Sequence, residues 1–384
     1  MNTTNTLTCP VEKKCGACQL LKVPYDEQLH DKRKQVAELM SGICSVDPMT
    51  GMSNPLHYRN KVTAAFGLDK KRHQICGVYQ AGTHNIVPVE SCLIENEKAD
   101  EIIQTIFGLL KSFKIKTYDE DSDYGLLRHV QIRTAHATGQ IMVILVCADP
   151  VFPAKNNFVK ALTKAHPEIS TIVLNINDKR TNMVLGERNI TLYGKGYITD
   201  ELCGKKFRIS PGSFYQINSV QTEKLYQKAI KLAGLTGKEL VVDAYCGIGT
   251  IGLACAGHAR EVIGVELNKA AVVDANINKK INGTGNIHFY TGDAGDFLEA
   301  MAAEGKRADV VFMDPPRSGS TEKFMDSIAV LRPRKVIYIS CNPETLARDL
   351  KYFRTVGYKC KTVAPFDMFP FTEEIECVTA LSQV

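Results

Sequence analysis

The sequence has no apolar run that could cross a membrane or direct export, and it has no internal repeat. No segment approaches the roughly 18 consecutive apolar residues of a membrane span. The opening residues, MNTTNTLTCPVEKK, also lack the apolar stretch of a signal peptide. The first two absences argue against membrane and secreted proteins, and the lack of repeats means that domain boundaries must be read from changes of pattern. We expect a cytoplasmic monomer.

Tryptophan is absent too, but that excludes no class of function. The 13 cysteines say more, because an odd number in a long chain without an export signal argues against a disulfide scaffold. Reduced thiols that act as ligands or catalysts are the better interpretation. The net charge of +5 is compatible with binding a polyanion but weaker than that of a dedicated nucleic-acid module.

Changes of pattern along the 384 residues indicate three regions. Residues 1–50 hold a cysteine group and then a helix over Asp26 to Met40, and residues 51–210 alternate as a mainly β, α+β domain. Residues 211–384 alternate helices with the apolar runs ELVVDA, EVIGVEL, NIHFYTGDA, DVVFMDPP and KVIYISCNP. Such runs are typical of a parallel sheet, which binds ligands at the carboxyl ends of its strands. The expected fold class is α/β, with a Rossmann-like catalytic domain at 211–384.

A glycine-rich turn, DAYCGIGTIG, follows the first of these runs. Gly247 and Gly249 let the backbone turn sharply and approach a ligand, although packing alone also uses glycine. Glu266 ends the next run, at the distance of about 20 residues expected of a carboxylate that binds ribose. Asp293 follows the third run and is suited to an adenine amino group. With an acid before it, the turn reads D-x-x-C-G-x-G rather than the G-x-G-x-x-G of a dinucleotide site. This pattern resembles class I methyltransferases, which implies a cationic sulfonium cofactor, S-adenosylmethionine.

Two polar turns end the fourth and fifth runs. Asp314 begins DPPRSG and Cys341 lies in SCNP, so both belong to the same edge of the predicted sheet. Alone, a cysteine after an apolar strand is more often a buried packing residue than a nucleophile. The closing segment FTEEIE adds carboxylates that include Glu374 and Glu376.

Three cysteines near the start have the spacing of metal ligands. Cys9, Cys15 and Cys18 include a C-x-x-C pair, which lets two thiolates reach one metal from a single turn. Zinc sites and iron–sulfur clusters both use such pairs, and unliganded thiols remain a third interpretation.

FYQIN, DAYCGIGTIGL, DPPRSG and ISCNP together resemble the RNA 5-methyluridine methyltransferase family, over nearly the whole chain. The resemblance implies methylation of carbon 5 of a uridine in transfer RNA or 23S ribosomal RNA, with Cys341 as nucleophile and Glu376 as the best match to the general base. It implies cofactor contacts at Gln216, Tyr245, Glu266 and Asp314. It also implies a 4Fe–4S cluster on Cys9, Cys15, Cys18 and a distant Cys92.

The chain departs from the family in two ways. Histidines expected near Phe371 and Glu374 are missing, which leaves Glu374 as a rival base. The chain also begins almost at Cys9, without the β-barrel of some relatives, and with its four cysteines it is most similar to the 23S rRNA branch. RNA contacts are then expected at 58–61 and 127–133, where solvated strand faces would give the same pattern.

The expected chemistry also sets a condition on the thiol. Cys341 needs a pKa below roughly 8.5, for which Arg317 is a candidate cation. Four other functions stay open: a tRNA uridine methyltransferase, a cytosine carbon 5 enzyme, an amino-group nucleic-acid methyltransferase and a non-catalytic iron–sulfur RNA-binding factor.

Overall fold

A computed structural model describes residues 7–384. Helices α1 to α10 run over Glu12–Cys15, Tyr25–Leu39, Glu97–Ser112, Lys155–Ala165, Ser219–Ala233, Thr250–Ala256, Lys269–Ile281, Ala294–Ala303, Glu322–Leu331 and Pro343–Thr355. Strands β1 to β17 run over Ser45–Val46, Lys61–Leu68, Gln74–Tyr79, Ile86–Pro88, Leu127–Thr134, Ile141–Cys147, Ile169–Ile176, Arg188–Tyr193, Ile198–Leu202, Lys205–Ile209, Leu240–Ala244, Glu261–Glu266, Ile287–Thr291, Val310–Met313, Lys335–Ser340, Tyr358–Phe366 and Glu376–Gln383.

The chain divides into two compact units that do not follow sequence order. Among the described residues, the first unit contains those up to 22 together with 55–201 and 208–212, and the second contains 23–54, 202–207 and 213–384. The division into domains at 50 and 210 stays a prediction. Among the described residues, no helix is both long and apolar enough to span a membrane.

The first unit is built on a seven-stranded sheet in the order β4-β3-β2-β5-β6-β7-β8. All neighbouring strands are antiparallel except β6 and β7, which are parallel. Asn96 caps helix α3, because its side chain accepts hydrogen bonds from the amides of Lys98 and Ala99. Its buried stripe includes Ile102 and Ile106, and each such side chain contributes about 1.5–3 kcal/mol when it leaves water. The mainly antiparallel sheet predicted for this region is confirmed.

The second unit contains an eight-stranded sheet in the order β1-β16-β17-β15-β14-β11-β12-β13. Strands β11 to β15 are parallel, and each lies at one of the predicted apolar runs. Strand β17 runs antiparallel between β15 and β16. The described strands and helices confirm the α/β fold class, and they bring the carboxyl ends of β11 to β15 to one edge.

Candidate active site

The carboxyl edge of the eight-stranded sheet gathers most of the predicted site residues. Ala244 is in register with Val265 on β12 and with Met313 on β14, so Tyr245, Glu266 and Asp314 follow at the same level. Strand β17 runs the opposite way, and its first residue therefore lies at this edge. Ser340 pairs with Cys377, which places Cys341 and Glu376 one step further along the same pair of strands.

The glycine turn after β11 holds the carboxylate of Glu266. The Gly247 amide donates to one oxygen of Glu266 at 3.0 Å, and the Asn268 amide donates to the other at 2.8 Å. Gly247 has a φ of +55°, and a Cβ added there would meet nothing within 4 Å. By contrast, a Cβ on Gly249 would lie 2.6 Å from the Phe289 ring. Gly249 therefore serves packing, whereas the backbone at Gly247 is open to a ligand.

Acidic groups crowd this part of the edge. Asp243 is buried, and its Oδ2 accepts a hydrogen bond from the Gly252 amide at 2.8 Å, while Oδ1 has no protein partner in the described part of the chain. Burial, followed by the charges of Asp314 and Glu266, raises the pKa of Asp243 to about 7. Burial also raises the pKa of Asp314 to about 7. Because burial makes ionisation of these carboxyls unfavourable, the site favours a cationic ligand that stabilises their ionised forms.

Tyr245, Asp293 and Gln216 have more local surroundings. Tyr245 has a φ of +66°, and its ring centroid lies 5.5 Å from that of Phe324. Burial first, then the charge of Asp293, raises the pKa of Tyr245 to about 12. One oxygen of Asp293 caps α8 by accepting from the amides of Gly295 and Asp296, so this residue has a structural role as well. Gln216 is buried just before α5.

The turn that carries Cys341 is tied to the turn that carries Arg317. Asn342 caps α10 by accepting from the Glu344 amide, and its side-chain amide donates to the Arg317 carbonyl at 3.4 Å. Ser340 braces the turn through its hydroxyl, which donates to the Asn342 carbonyl at 3.0 Å. Cys341 itself is half-buried between these anchors.

The pKa of Cys341 is not lowered in the way expected from the sequence. Burial raises it to about 11, the charges of Glu376 and Asp314 act in the same direction, and Arg317 opposes them. Arg317 is largely exposed and donates to Glu374 Oε1 at 2.8 Å, so its charge is shared and does not offset the effect of burial on the thiol.

The two candidate bases differ sharply in environment. Glu376 is only 3% exposed, and its Oε2 has no protein partner among the described residues. Burial, then the charges of Asp314 and Glu374, raises the pKa of Glu376 well above its usual range. Glu374 is partly exposed and paired with Arg317. A buried carboxyl with a free oxygen beside the thiol has the surroundings of a general base.

The cysteines near the start lie in the other unit. In residues 7–384, no group of three or more His, Cys, Asp or Glu side chains is arranged to hold a metal ion. Burial raises the pKa of Cys18 to about 11, with further increases from Cys15 and Cys9, so these three thiols are neighbours. Burial raises the pKa of Cys92 to about 12, and the next contribution comes from Glu95. The described residues therefore do not show the metal site that the cysteine spacing predicts.

The segment at 127–133, expected to contact RNA, forms the central strand β5, and its polar side chains are buried. Arg128 donates to the carbonyls of Asn177 and Lys179 at 2.9 and 2.7 Å. Its guanidinium lies 4.6 Å from the centroid of the Tyr118 ring. Arg128 therefore supports the fold. For this residue, the prediction of a phosphate contact is wrong, and so is the alternative of a solvated strand face.

A parallel sheet whose carboxyl edge joins an open glycine turn to clustered acids defines a class I S-adenosylmethionine-dependent methyltransferase. A family model described as tRNA (Uracil-5-)-methyltransferase matches residues 24–384. The chain belongs to this family of RNA uracil-5 methyltransferases.

Individual relatives agree with this assignment. An uncharacterized RNA methyltransferase of Halalkalibacterium halodurans is 43% identical over 378 residues, which cover 97% of this chain and 82% of that protein. One of Listeria monocytogenes is 44% identical over 377 residues, with 97% and 83% covered. The crystal structure of Pyrococcus abyssi tRNA (uracil-54, C5)-methyltransferase in complex with S-adenosyl-L-homocysteine has a TM-score of 0.81 at 27% identity, and the match covers 98% of this chain and 87% of that one.

Proposed function

We propose that this enzyme methylates carbon 5 of a uridine in 23S ribosomal RNA through a covalent adduct of Cys341. The observation that supports the chemistry is the register of β15 and β17, which continues from the pair Ser340–Cys377 towards Cys341 and the buried Glu376, whose charge raises the pKa of Cys341. The choice of 23S rRNA rests on the four-cysteine pattern in the sequence alone. Transfer RNA is the second candidate, since the Pyrococcus abyssi neighbour is a tRNA methyltransferase.

The cofactor's place follows from the acids at the edge of the sheet. S-adenosylmethionine supplies the methyl group, bound as a sulfonium. Glu266 would take the ribose hydroxyls and Asp293 the adenine amino group, with Gly247 leaving the backbone open. Gln216, Tyr245 and Asp314 would complete the contacts, and the carboxylate of Asp314 would offset the positive charge.

The reaction needs a nucleophile because carbon 5 of uracil is too weak to take the methyl group unaided. The Cys341 thiol gives its proton to solvent, and the thiolate adds to carbon 6 to form an enolate. Carbon 5 of the enolate then attacks the methyl group, the bond between that methyl group and the sulfonium sulfur breaks, and S-adenosylhomocysteine leaves. Glu376 then removes the carbon 5 proton, the bond between carbon 6 and sulfur breaks, and its electrons return to the thiolate. The target base must leave its stack for this to happen.

The test uses RNA in which 5-fluorouridine replaces uridine, because fluorine at carbon 5 blocks the final elimination. The unaltered enzyme should form a covalent complex that survives denaturing electrophoresis, and Cys341→Ala should form none and lose turnover. Retained turnover in Cys341→Ala would favour an amino-group methyltransferase instead. Mapping 5-methyluridine in 23S and transfer RNA from a deletion strain then identifies the substrate, and a missing 5-methylcytidine would point to the cytosine enzyme.

We also propose that Cys9, Cys15, Cys18 and Cys92 bind a 4Fe–4S cluster, with zinc as the alternative. This proposal rests on the cysteine spacing and on the family resemblance, and no step of the methylation depends on it. Iron, sulfide and zinc analysis of anaerobically purified protein, compared with Cys15→Ala, distinguishes the two metals. A protein that binds neither would remove the proposal.

A further inference from the structure

The loop between β16 and β17, residues 367–375, leads directly into Glu376. Its first residue, Asp367, is completely buried, and so is Phe371, which has a φ of +68°. The Asp367 amide donates to the Thr50 carbonyl at 3.0 Å, and Asn218 donates to the Met368 carbonyl at 2.9 Å. The loop is thus an ordered part of the interior, and its shape determines where Glu376 begins.

One face of helix α2 is hydrogen-bonded to this loop. Tyr25 donates from its hydroxyl to Asp367 Oδ2 at 2.7 Å, and the Phe371 amide donates to Gln28 Oε1 at 3.1 Å. Gln28 and Lys32 are four residues apart and both buried, so the helix turns polar side chains inward where apolar ones are usual. α2 comes from the start of the chain and contacts the last loop before the proposed base.

Lys32 is the centre of these contacts. Its ammonium lies 2.6 Å from Asp367 Oδ1, 3.1 Å from the Glu374 carbonyl and 3.3 Å from the Phe369 carbonyl, so all three N–H donors go to the loop. Lys32 is 3% exposed and Asp367 0%. Buried ion pairs are seldom more stable than apolar side chains of similar size, so stability alone does not account for this one.

We propose that Lys32 is a positioning residue for Glu376, an inference that rests on the proposed function. By joining the start of the loop at Asp367 to its end at the Glu374 carbonyl, Lys32 fixes the backbone only one residue, Ile375, before the base. The same contact holds the backbone of Glu374, whose side chain pairs with Arg317. Loss of Lys32 should therefore act on proton removal from carbon 5.

This step can be separated from those before it. Addition of the Cys341 sulfur to carbon 6 and transfer of the methyl group precede it, and neither requires Glu376. With 5-fluorouridine RNA there is no carbon 5 proton, so a complex forms without the base. With uridine RNA, a misplaced base leaves the methylated adduct attached through the carbon 6–sulfur bond.

The experiment compares Lys32→Met with Lys228→Met in the full-length enzyme. Lys228 makes a more exposed ion pair with Asp47 at 3.0 Å in the same unit, and among the described residues its hydrogen bond and ion pair go to Asp47 rather than to the 367–375 loop. The probes are RNA from the deletion strain and a 5-fluorouridine transcript of 23S rRNA or, if mapping indicates it, of the tRNA. Lys32→Met should lose turnover by about tenfold to a hundredfold, since small misplacements of catalytic groups have effects of this size.

Two effects together distinguish a positioning residue from a purely structural one. Lys32→Met should form the 5-fluorouridine complex at close to the normal rate, and it should accumulate the methylated adduct on uridine RNA, as Glu376→Gln should to a greater extent. Lys228→Met should do neither. Because Lys32→Met removes the cation beside the buried carboxylate of Asp367, the double variant Lys32→Met/Asp367→Asn should regain thermal stability and keep the accumulated adduct.

Equal losses on both RNAs would overturn the inference and leave Lys32 a purely structural residue. Normal turnover without accumulation would overturn it as well. If Glu376→Gln and Cys341→Ala behave as proposed while Lys32→Met does not, only this inference fails. If Cys341→Ala forms the complex, the proposed function itself fails.

Discussion

The acids at the edge of the sheet predict that S-adenosylmethionine binds more tightly as the pH rises through neutrality. The pKa of both Asp243 and Asp314 is raised to about 7, chiefly by burial. A sulfonium beside them favours their ionised forms, so the complex should lower both pKa values. Binding below neutral pH must then release protons, which weakens it.

The size of the effect follows from the ionised fraction. For a carboxyl with a pKa of about 7, that fraction increases about tenfold from pH 6 to pH 8. The dissociation constant should therefore fall by about tenfold over this range if one ionised carboxylate is required, and by about a hundredfold if two are. Above pH 8 the affinity should level off.

Calorimetry at three pH values, in two buffers with different ionisation enthalpies, gives both the affinity and the number of protons released. S-adenosylhomocysteine is the matched control ligand because it lacks only the methyl group and the positive charge, and its affinity should change less. Asp314→Asn should flatten the dependence, whereas Asp326→Asn, on the exposed side of α9, should not. A pH-independent affinity, or equal slopes for the two ligands, would refute the electrostatic reasoning.

Two further variants test the geometry of the site. Glu374→Gln removes the partner of Arg317, and the charge of Arg317 lowers the pKa of Cys341. Alkylation of Cys341 by iodoacetamide, measured by peptide mass spectrometry, should therefore become several-fold faster. An unchanged rate would mean that Arg317 does not act on the thiol. Gly249→Ala should lose about 1–3 kcal/mol in urea unfolding, because its Cβ would lie 2.6 Å from the Phe289 ring at a φ of +84°. Gly257→Ala has open space and an ordinary φ, so it should change stability little, and equal losses in both would contradict the packing explanation.

The parallel strands could be predicted because each is an apolar run that ends in polar or glycine residues. That pattern is local, and it places Glu266, Asp314 and Cys341 at one edge without knowledge of the fold. The antiparallel insertion of β17 between β15 and β16 is a long-range feature. Local pattern therefore does not predict that Cys341 and Glu376 lie on neighbouring strands. Only the family resemblance pairs the two residues, and the register of β15 and β17 gives the physical basis.

Lys32 and the pKa of Cys341 show what the sequence hides. A lysine between charged residues in helix α2 has the pattern of a solvated face, and only its burial against the 367–375 loop reveals its partners. The one local signal is its spacing of four from Gln28 and Val36, which places all three on one side of the helix. Arg317 is close to Cys341 in the way the sequence suggests, but burial outweighs its charge.

The raised pKa values also imply that the site is maintained at a cost in stability. Asp243, Asp314 and Glu376 bind protons more tightly when folded than when unfolded, so the free energy of unfolding falls as the pH rises from the unfolded values near 4 through the folded ones. For Asp243, the rise in pKa from 3.8 to about 7 corresponds to a loss of at most about 4 kcal/mol in the free energy of unfolding above neutral pH. A bound cation lowers the pKa of these carboxyls and so reduces this loss of stability. S-adenosylmethionine should therefore raise the thermal midpoint more at pH 8 than at pH 6, and an Asp314→Asn enzyme that is more stable when empty should gain less from the cofactor. A larger gain at pH 6 would mean that the acids are not the groups that sense the sulfonium.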